Sequence, residues 1–120
     1  MAKCKVTHDE DALIDLIEQH EYIARDNPSE ADKYIQGLLD TAERASQSPT
    51  SGRSEPWIAN LLGTPPKNTR SLLYKNHRCY YLIRGDEIAA AEIYVLSYLH
   101  GKRKRDKALR KRLDGLRNRR

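Results

Sequence analysis

The chain has 120 residues, of which 38% are hydrophobic and 32% are charged. No apolar run approaches the roughly 18 residues that a membrane-spanning helix needs, and Met1 to Lys5 lack the apolar stretch of a signal peptide. Two cysteines, Cys4 and Cys79, are too few for a disulfide scaffold. We therefore expect a single cytoplasmic domain with reduced thiols and no membrane association.

The positive charge is concentrated at the C-terminus. Residues 102–120 hold 11 Lys and Arg against two Asp, a net charge of +9, whereas residues 1–101 hold 11 bases and 15 acids, a net charge of −4. The charge predicts a mildly acidic domain, 1–101, followed by a basic tail, 102–120, and the spacing of Leu109, Leu113 and Leu116 predicts that this tail is helical. Such a tail either binds a polyanion, such as nucleic acid or an acidic protein segment, or only keeps the chain soluble.

Two amphipathic helices are predicted after a short strand at Lys3–Val6. Thr7-His8-Asp9-Glu10 fits a capping box at the start of the first helix, and Asn27-Pro28 fits a cap followed by proline at the start of the second. The apolar stripe of the first helix contains Leu13, Leu16, Ile17, His20 and Ala24. Because almost no linker separates the helices, they should form an antiparallel hairpin.

Three strand-like segments follow a loop-like stretch and a short apolar anchor at 57–62. The segments are Thr69–Lys75, Arg78–Arg84 and Glu87–Tyr98, and their separators, Asn76-His77 and Gly85-Asp86, suit tight hairpin turns. The element order is β-α-α-β-β-β with a basic C-terminal helix. This order predicts an α+β fold in which the helical hairpin packs on a small, mainly antiparallel sheet.

Three short motifs follow one another along the chain. Tyr22-Ile23-Ala24 precedes Asn27-Pro28 and an alanine, Pro49 precedes Gly52-Arg53, and His100-Gly101-Lys102-Arg103 closes the last strand. Together they resemble the RelE/ParE superfamily of toxins from bacterial type II toxin–antitoxin systems. The resemblance extends over roughly residues 5–105, and the helical-hairpin motif favours the ParE-like branch.

The two branches of this superfamily imply different targets. ParE-like members inhibit DNA gyrase, whereas RelE-like members are ribosome-dependent endoribonucleases that cut mRNA. The resemblance thus implies a ParE-like gyrase inhibitor first and an mRNA endoribonuclease as the alternative. A non-toxic module that binds nucleic acid or protein through its basic tail is a third interpretation.

The candidate site residues depend on the branch. For the RelE-like interpretation, Arg70, Arg78 and Arg103 would stabilise phosphate charge and His100 would transfer protons. Leu109 stands where RelE-like enzymes carry a catalytic tyrosine, which argues against cleavage. For the ParE-like interpretation, the target-docking or nucleic-acid-docking residues would be His100, Lys102, Arg103, Lys104 and Arg105.

The expected partner is a protein rather than a small molecule. His77-x-Cys79 and Cys4-x-x-x-His8 lack the spacing of tetrahedral metal sites, so we expect no metal and no cofactor. The superfamily resemblance implies a cognate antitoxin that folds on the toxin and forms an oligomer with it. The cationic surface of the chain predicts that this antitoxin carries an acidic segment.

Overall fold

The computed structural model describes residues 4–63, 68–85 and 90–101, together with 110, 111, 113 and 114, and for Ala90 and Ala91 only the backbone. Helix α1 spans Glu10–Ala24, α2 spans Pro28–Gln47 and α3 spans Pro56–Leu62. A 3-10 turn, Pro49–Ser51, follows α2. None of the described helices is long and apolar enough to cross a membrane.

Five strands form one mixed sheet in the order β1-β5-β4-β3-β2. The strands are β1 (Lys5–His8), β2 (Arg53–Ser54), β3 (Thr69–Tyr74), β4 (His77–Gly85) and β5 (Ala90–His100). Strand β1 is parallel to β5, and the other three neighbouring pairs are antiparallel. The predicted α+β fold is confirmed.

Two helix and turn boundaries differ from their predictions. Asp9, not Thr7, caps α1, because β1 continues through His8 and the Asp9 carboxylate accepts a hydrogen bond from the Asp11 amide at 2.9 Å. The turn between β3 and β4 is Lys75-Asn76, with Lys75 at φ 51°, so His77 is the first residue of β4. The predicted Asn27 cap of α2 is confirmed by its 3.1 Å bond from the Glu30 amide.

The stripe predicted for α1 is only partly buried. Leu16 packs in the core beside Ala12, whereas Leu13 and Ile17 point to solvent with 47% and 58% of their surface exposed. The helix is rotated because Asp15 faces the sheet, where its Oδ2 accepts hydrogen bonds from Ser97 Oγ (2.7 Å) and the Tyr98 amide (3.0 Å). The hairpin with α2 itself is confirmed.

Both faces of the sheet carry a hydrophobic core. The helical hairpin covers one face, with a core that includes Leu16, Leu38, Cys79, Tyr81 and Tyr98. The second face is covered by α3 and by Leu113 of the basic tail, which is 3% exposed. Apolar side chains from the sheet complete this second core: Tyr80, Leu82, Leu96 and Leu99.

The burial of Leu113 leads to a stability prediction. Replacing it with alanine should lower the free energy of unfolding by about 2–4 kcal/mol, because a large-to-small change in a core loses contacts and leaves a cavity. Leu73→Ala is the matched control, since Leu73 is 55% exposed and should cost under about 0.5 kcal/mol. Denaturant unfolding followed by circular dichroism measures both, and equal costs would contradict the packing of the tail on the sheet.

Candidate functional site

The candidate residue Arg78 lies on the sheet face that carries the second core. Its register partners are Leu73 on β3 and Leu99 on β5, and Leu99 belongs to that core. One guanidinium nitrogen, Nη1, donates to Ser71 Oγ at 3.0 Å. The side chain therefore lies above the same face as α3.

The Ser71 hydroxyl that accepts from Arg78 also binds a buried carboxylate. Glu55 is 4% exposed, and its Oε1 accepts from Ser71 Oγ at 2.7 Å and from Arg53 Nη2 at 2.8 Å. Its Oε2 accepts from Trp57 Nε1 at 3.0 Å. A buried carboxylate is costly without such donors. Ser71 donates to Glu55 and accepts from Arg78, so the described contact of Arg78 supports the buried carboxylate. Sequence reasoning missed Glu55, whose only signal is an acid directly before a helix-starting Pro-Trp pair.

Arg70 anchors the segment after α2. Its Nη1 donates to the Gly52 carbonyl at 2.9 Å and to the Thr50 carbonyl at 3.3 Å. Tyr81 donates from its hydroxyl to the Pro49 carbonyl at 2.7 Å, and burial raises the pKa of Tyr81 to about 12. The Pro49 and Gly52-Arg53 motif thus forms a loop that is bound to the sheet.

Arg84 is held at the other end of β4. Its guanidinium carbon lies 3.9 Å from the centre of the Tyr94 ring, and its Nη1 lies 3.3 Å from Glu92 Oε1. Glu92 also accepts from Thr7 Oγ1 at 2.7 Å, and this hydrogen bond is the main reason that the pKa of Glu92 is lowered. Within the part of the chain that the structure describes, Arg84 therefore contacts the neighbouring side chains of Tyr94 and Glu92 on β5.

His100 lies on the helical-hairpin face, opposite to Arg78. It pairs in register with His77, and their rings meet edge to face with centroids 5.1 Å apart. His77 is 4% exposed, and its Nδ1 lies within hydrogen-bonding distance, 2.6 Å, of the Tyr34 hydroxyl on α2. Burial raises the pKa of Tyr34, so its hydroxyl stays protonated at neutral pH. The structure does not bring His100 and Arg78 together.

These rings line a cleft of about 680 Å³ between α1 and the edge of the sheet at which the β3–β4 turn lies. Tyr22, Tyr34, Tyr98 and both histidines contribute the rings, while the charged residues of the lining are Asp15, Glu18, Glu21 and Arg25. Sequence reasoning missed this cleft, because its lining comes from segments that lie far apart in the sequence.

Lys102, Arg103, Lys104 and Arg105 lie outside the described residues, as does Leu109. Of the described tail residues, Arg110, Lys111 and Asp114 are exposed and Leu113 is buried. The described residues contain no group of three or more His, Cys, Asp or Glu side chains that could hold a metal ion.

The absence of a Cβ at Gly52 allows the loop after α2 to lie close to the sheet. A Cβ placed there would meet the Tyr81 hydroxyl and would lie 2.7 Å from the Ser71 carbonyl oxygen, which is backbone. Gly52→Ala should therefore lower the free energy of unfolding by about 1–3 kcal/mol, as overpacking does. Gly101→Ala is the control, because among the described residues its Cβ would meet only the Asn76 carbonyl, at 3.4 Å. Thermal melts of both variants measure the difference, and equal melting temperatures would contradict the close approach.

Comparison with known proteins places the fold in a family. The model of the family described as "ParE toxin of type II toxin-antitoxin system, parDE" matches residues 6–105. A solved structure, the chromosomal ParDE toxin–antitoxin system from P. aeruginosa, has a similar fold with a TM-score of 0.59. The match covers 82% of this chain and 96% of that one at 17% sequence identity. No protein with curated annotation matches the chain significantly.

Proposed function

Because the chain belongs to the ParE toxin family of type II toxin–antitoxin systems, we propose that it arrests growth by inhibiting DNA gyrase. We further propose that a cognate antitoxin neutralises it in the cytoplasm. The observation that carries this proposal is the family match, which spans residues 6–105 and thus nearly the whole sheet and both long helices. We also propose that the basic tail after residue 101 supplies the charge for docking on the target.

The separation of Arg78 and His100 supports a mechanism without RNA cleavage. Attack by a ribose 2′-hydroxyl needs a proton acceptor, a proton donor and cations that all converge on one phosphate. Arg78 lies with Ser71 above one sheet face, whereas His100 lies with His77 on the other face. This geometry favours inhibition by docking over inhibition by bond breaking.

The tail supplies the charge for such docking. Residues 102–120 carry a net charge of +9, and Arg110 and Lys111 are exposed while Leu113 is buried. Among the described tail residues, Arg110 and Lys111 face solvent, where bases attract an acidic protein surface or DNA. The proposed docking segment consists of His100, Lys102, Arg103, Lys104 and Arg105.

A growth assay in parallel with two molecular readouts tests the target. Expression of the chain alone should arrest growth with loss of plasmid supercoiling and trapped gyrase–DNA breaks, while protein synthesis continues at first. The double variant Arg103→Glu with Arg105→Glu should weaken gyrase inhibition at least about 10-fold, because reversed charges repel the acidic partner. Supercoiling assays with purified gyrase measure this loss.

The matched control reverses two other tail charges. Arg110→Glu with Lys111→Glu changes the net charge equally and should stay within about threefold of the wild type if docking is confined to residues 100–105. Codon-phased mRNA cuts with normal supercoiling would overturn the proposal in favour of the RelE-like alternative. Arg78, Arg103 and His100 would then be tested as catalytic residues.

A further inference from the structure

The cleft between α1 and the β3–β4 turn has the size and the lining of a small-molecule site. Its volume of about 680 Å³ lies within the roughly 300–1,000 Å³ of typical ligand pockets. Its lining combines aromatic and imidazole rings with charged and amide side chains. Of this lining, the proposed docking on gyrase uses only His100, so the cleft itself has no assigned role.

Carboxylates dominate the charge of the cleft. Asp15, Glu18 and Glu21 line it, and Arg25 is the one base among its described lining residues. With neutral histidines, the lining therefore carries a formal net charge of −2. Glu18 and Glu21 are exposed, and their side chains form no salt bridge or hydrogen bond with the described residues. Such a lining repels a phosphate or carboxylate ligand and attracts a cation.

The rings favour an organic cation over a metal ion. Ring faces attract an ammonium group that lies within about 6 Å of the ring centre. The chain contains an example beside the cleft, because Lys75 Nζ lies 5.7 Å from the centre of the Tyr34 ring. A metal ion fits less well, since the described residues contain no group of three or more His, Cys, Asp or Glu side chains that could hold one.

The spacing of the acids restricts the ligand further. Asp15, Glu18 and Glu21 follow one another at three-residue intervals on α1, which places neighbouring Cβ atoms about 5–6 Å apart. Two ammonium nitrogens joined by three or four methylenes are also about 5–6 Å apart, given bonds of about 1.5 Å. A linear polyamine therefore repeats its charges at the interval at which the helix repeats its acids.

We propose that this cleft binds a linear polyamine, a methylene chain that carries two or more ammonium groups. The ammonium groups pair with Glu18 and Glu21, and the methylenes lie against the rings of Tyr22 and Tyr34. Asp15 adds negative charge at the buried end, where its Oδ2 is already held by β5. The inference is independent of the proposed toxin function, because it rests on the lining of the cleft alone.

Arg25 competes with the ligand for the same acids. It is exposed at the end of α1 and lies four residues after Glu21, a spacing at which a base can reach a carboxylate on a helix. Arg25→Gln should therefore tighten polyamine binding about two- to threefold. This increase is opposite in sign to the loss expected when the acids are neutralised.

The test titrates the full-length chain, made by cell-free synthesis, with spermidine and follows the backbone amide signals by nuclear magnetic resonance. Wild type should bind with a dissociation constant of about 0.1–1 mM at about 0.05 M salt, and the largest shifts should lie at the cleft lining. Glu18→Gln with Glu21→Gln should raise this constant at least about fivefold. Tyr22→Leu should raise it about threefold, whereas Tyr22→Phe keeps the ring and should leave it unchanged.

Matched controls separate the cleft from general charge effects. Glu30→Gln with Asp40→Asn removes two exposed acids from α2 that do not line the cleft, and it should stay within about twofold of the wild-type affinity. Octanediol, a chain of similar length without charge, should not bind. Magnesium chloride should displace spermidine no better than sodium chloride of equal ionic strength. Circular dichroism melts of each variant confirm that it is folded.

Four outcomes would overturn the inference. They are the absence of saturable spermidine binding to the wild type, shifts spread evenly over the acids of both long helices, unchanged affinity in the Glu18 and Glu21 variant, and equal competition by magnesium. The first three would remove the cleft as a polyamine site, and the fourth would reduce it to an unspecific acidic surface. None of these outcomes bears on growth arrest or on gyrase.

Discussion

The carboxylate of Asp15 determines how the first helix lies on the sheet. It accepts hydrogen bonds from Ser97 Oγ and from the Tyr98 amide next to the register shift between β4 and β5. A carboxylate at a buried position is stable only with such donors, so α1 is held in one rotation about its axis. In that rotation Ala12 and Leu16 enter the core, and Leu13 and Ile17 remain outside.

The second sheet face depends on another buried carboxylate. Glu55 joins the start of α3 to β3 through Ser71 and holds Trp57 beside the second core. Arg78 enters this arrangement as a donor to Ser71. The residue that the superfamily resemblance offers as a phosphate ligand therefore has a structural environment here. Family membership alone does not decide which chemistry an arginine performs, because the surrounding partners decide it.

The molecule separates its charges by element. Helix α1 carries only acids among its charged residues, and the strongest positive charge follows β5 in the tail.

The local sequence was sufficient to predict the long helices and most strands and to recognise the family. The Asn27-Pro28 start of α2, the three C-terminal strands and the α+β class follow from caps, turns and periodicity, which are local interactions. The 2-residue strand β2, the pairing of β1 with β5 and the face to which each candidate residue belongs were not predictable, because they depend on contacts between distant segments. Leu13 and Leu16 are the same residue type three positions apart. The packing of α1 on the sheet, through Ala12 and the hydrogen bonds of Asp15 to β5, decides that Leu16 is buried and Leu13 is exposed. A helix with apolar residues on two faces can bury only one of them against a sheet.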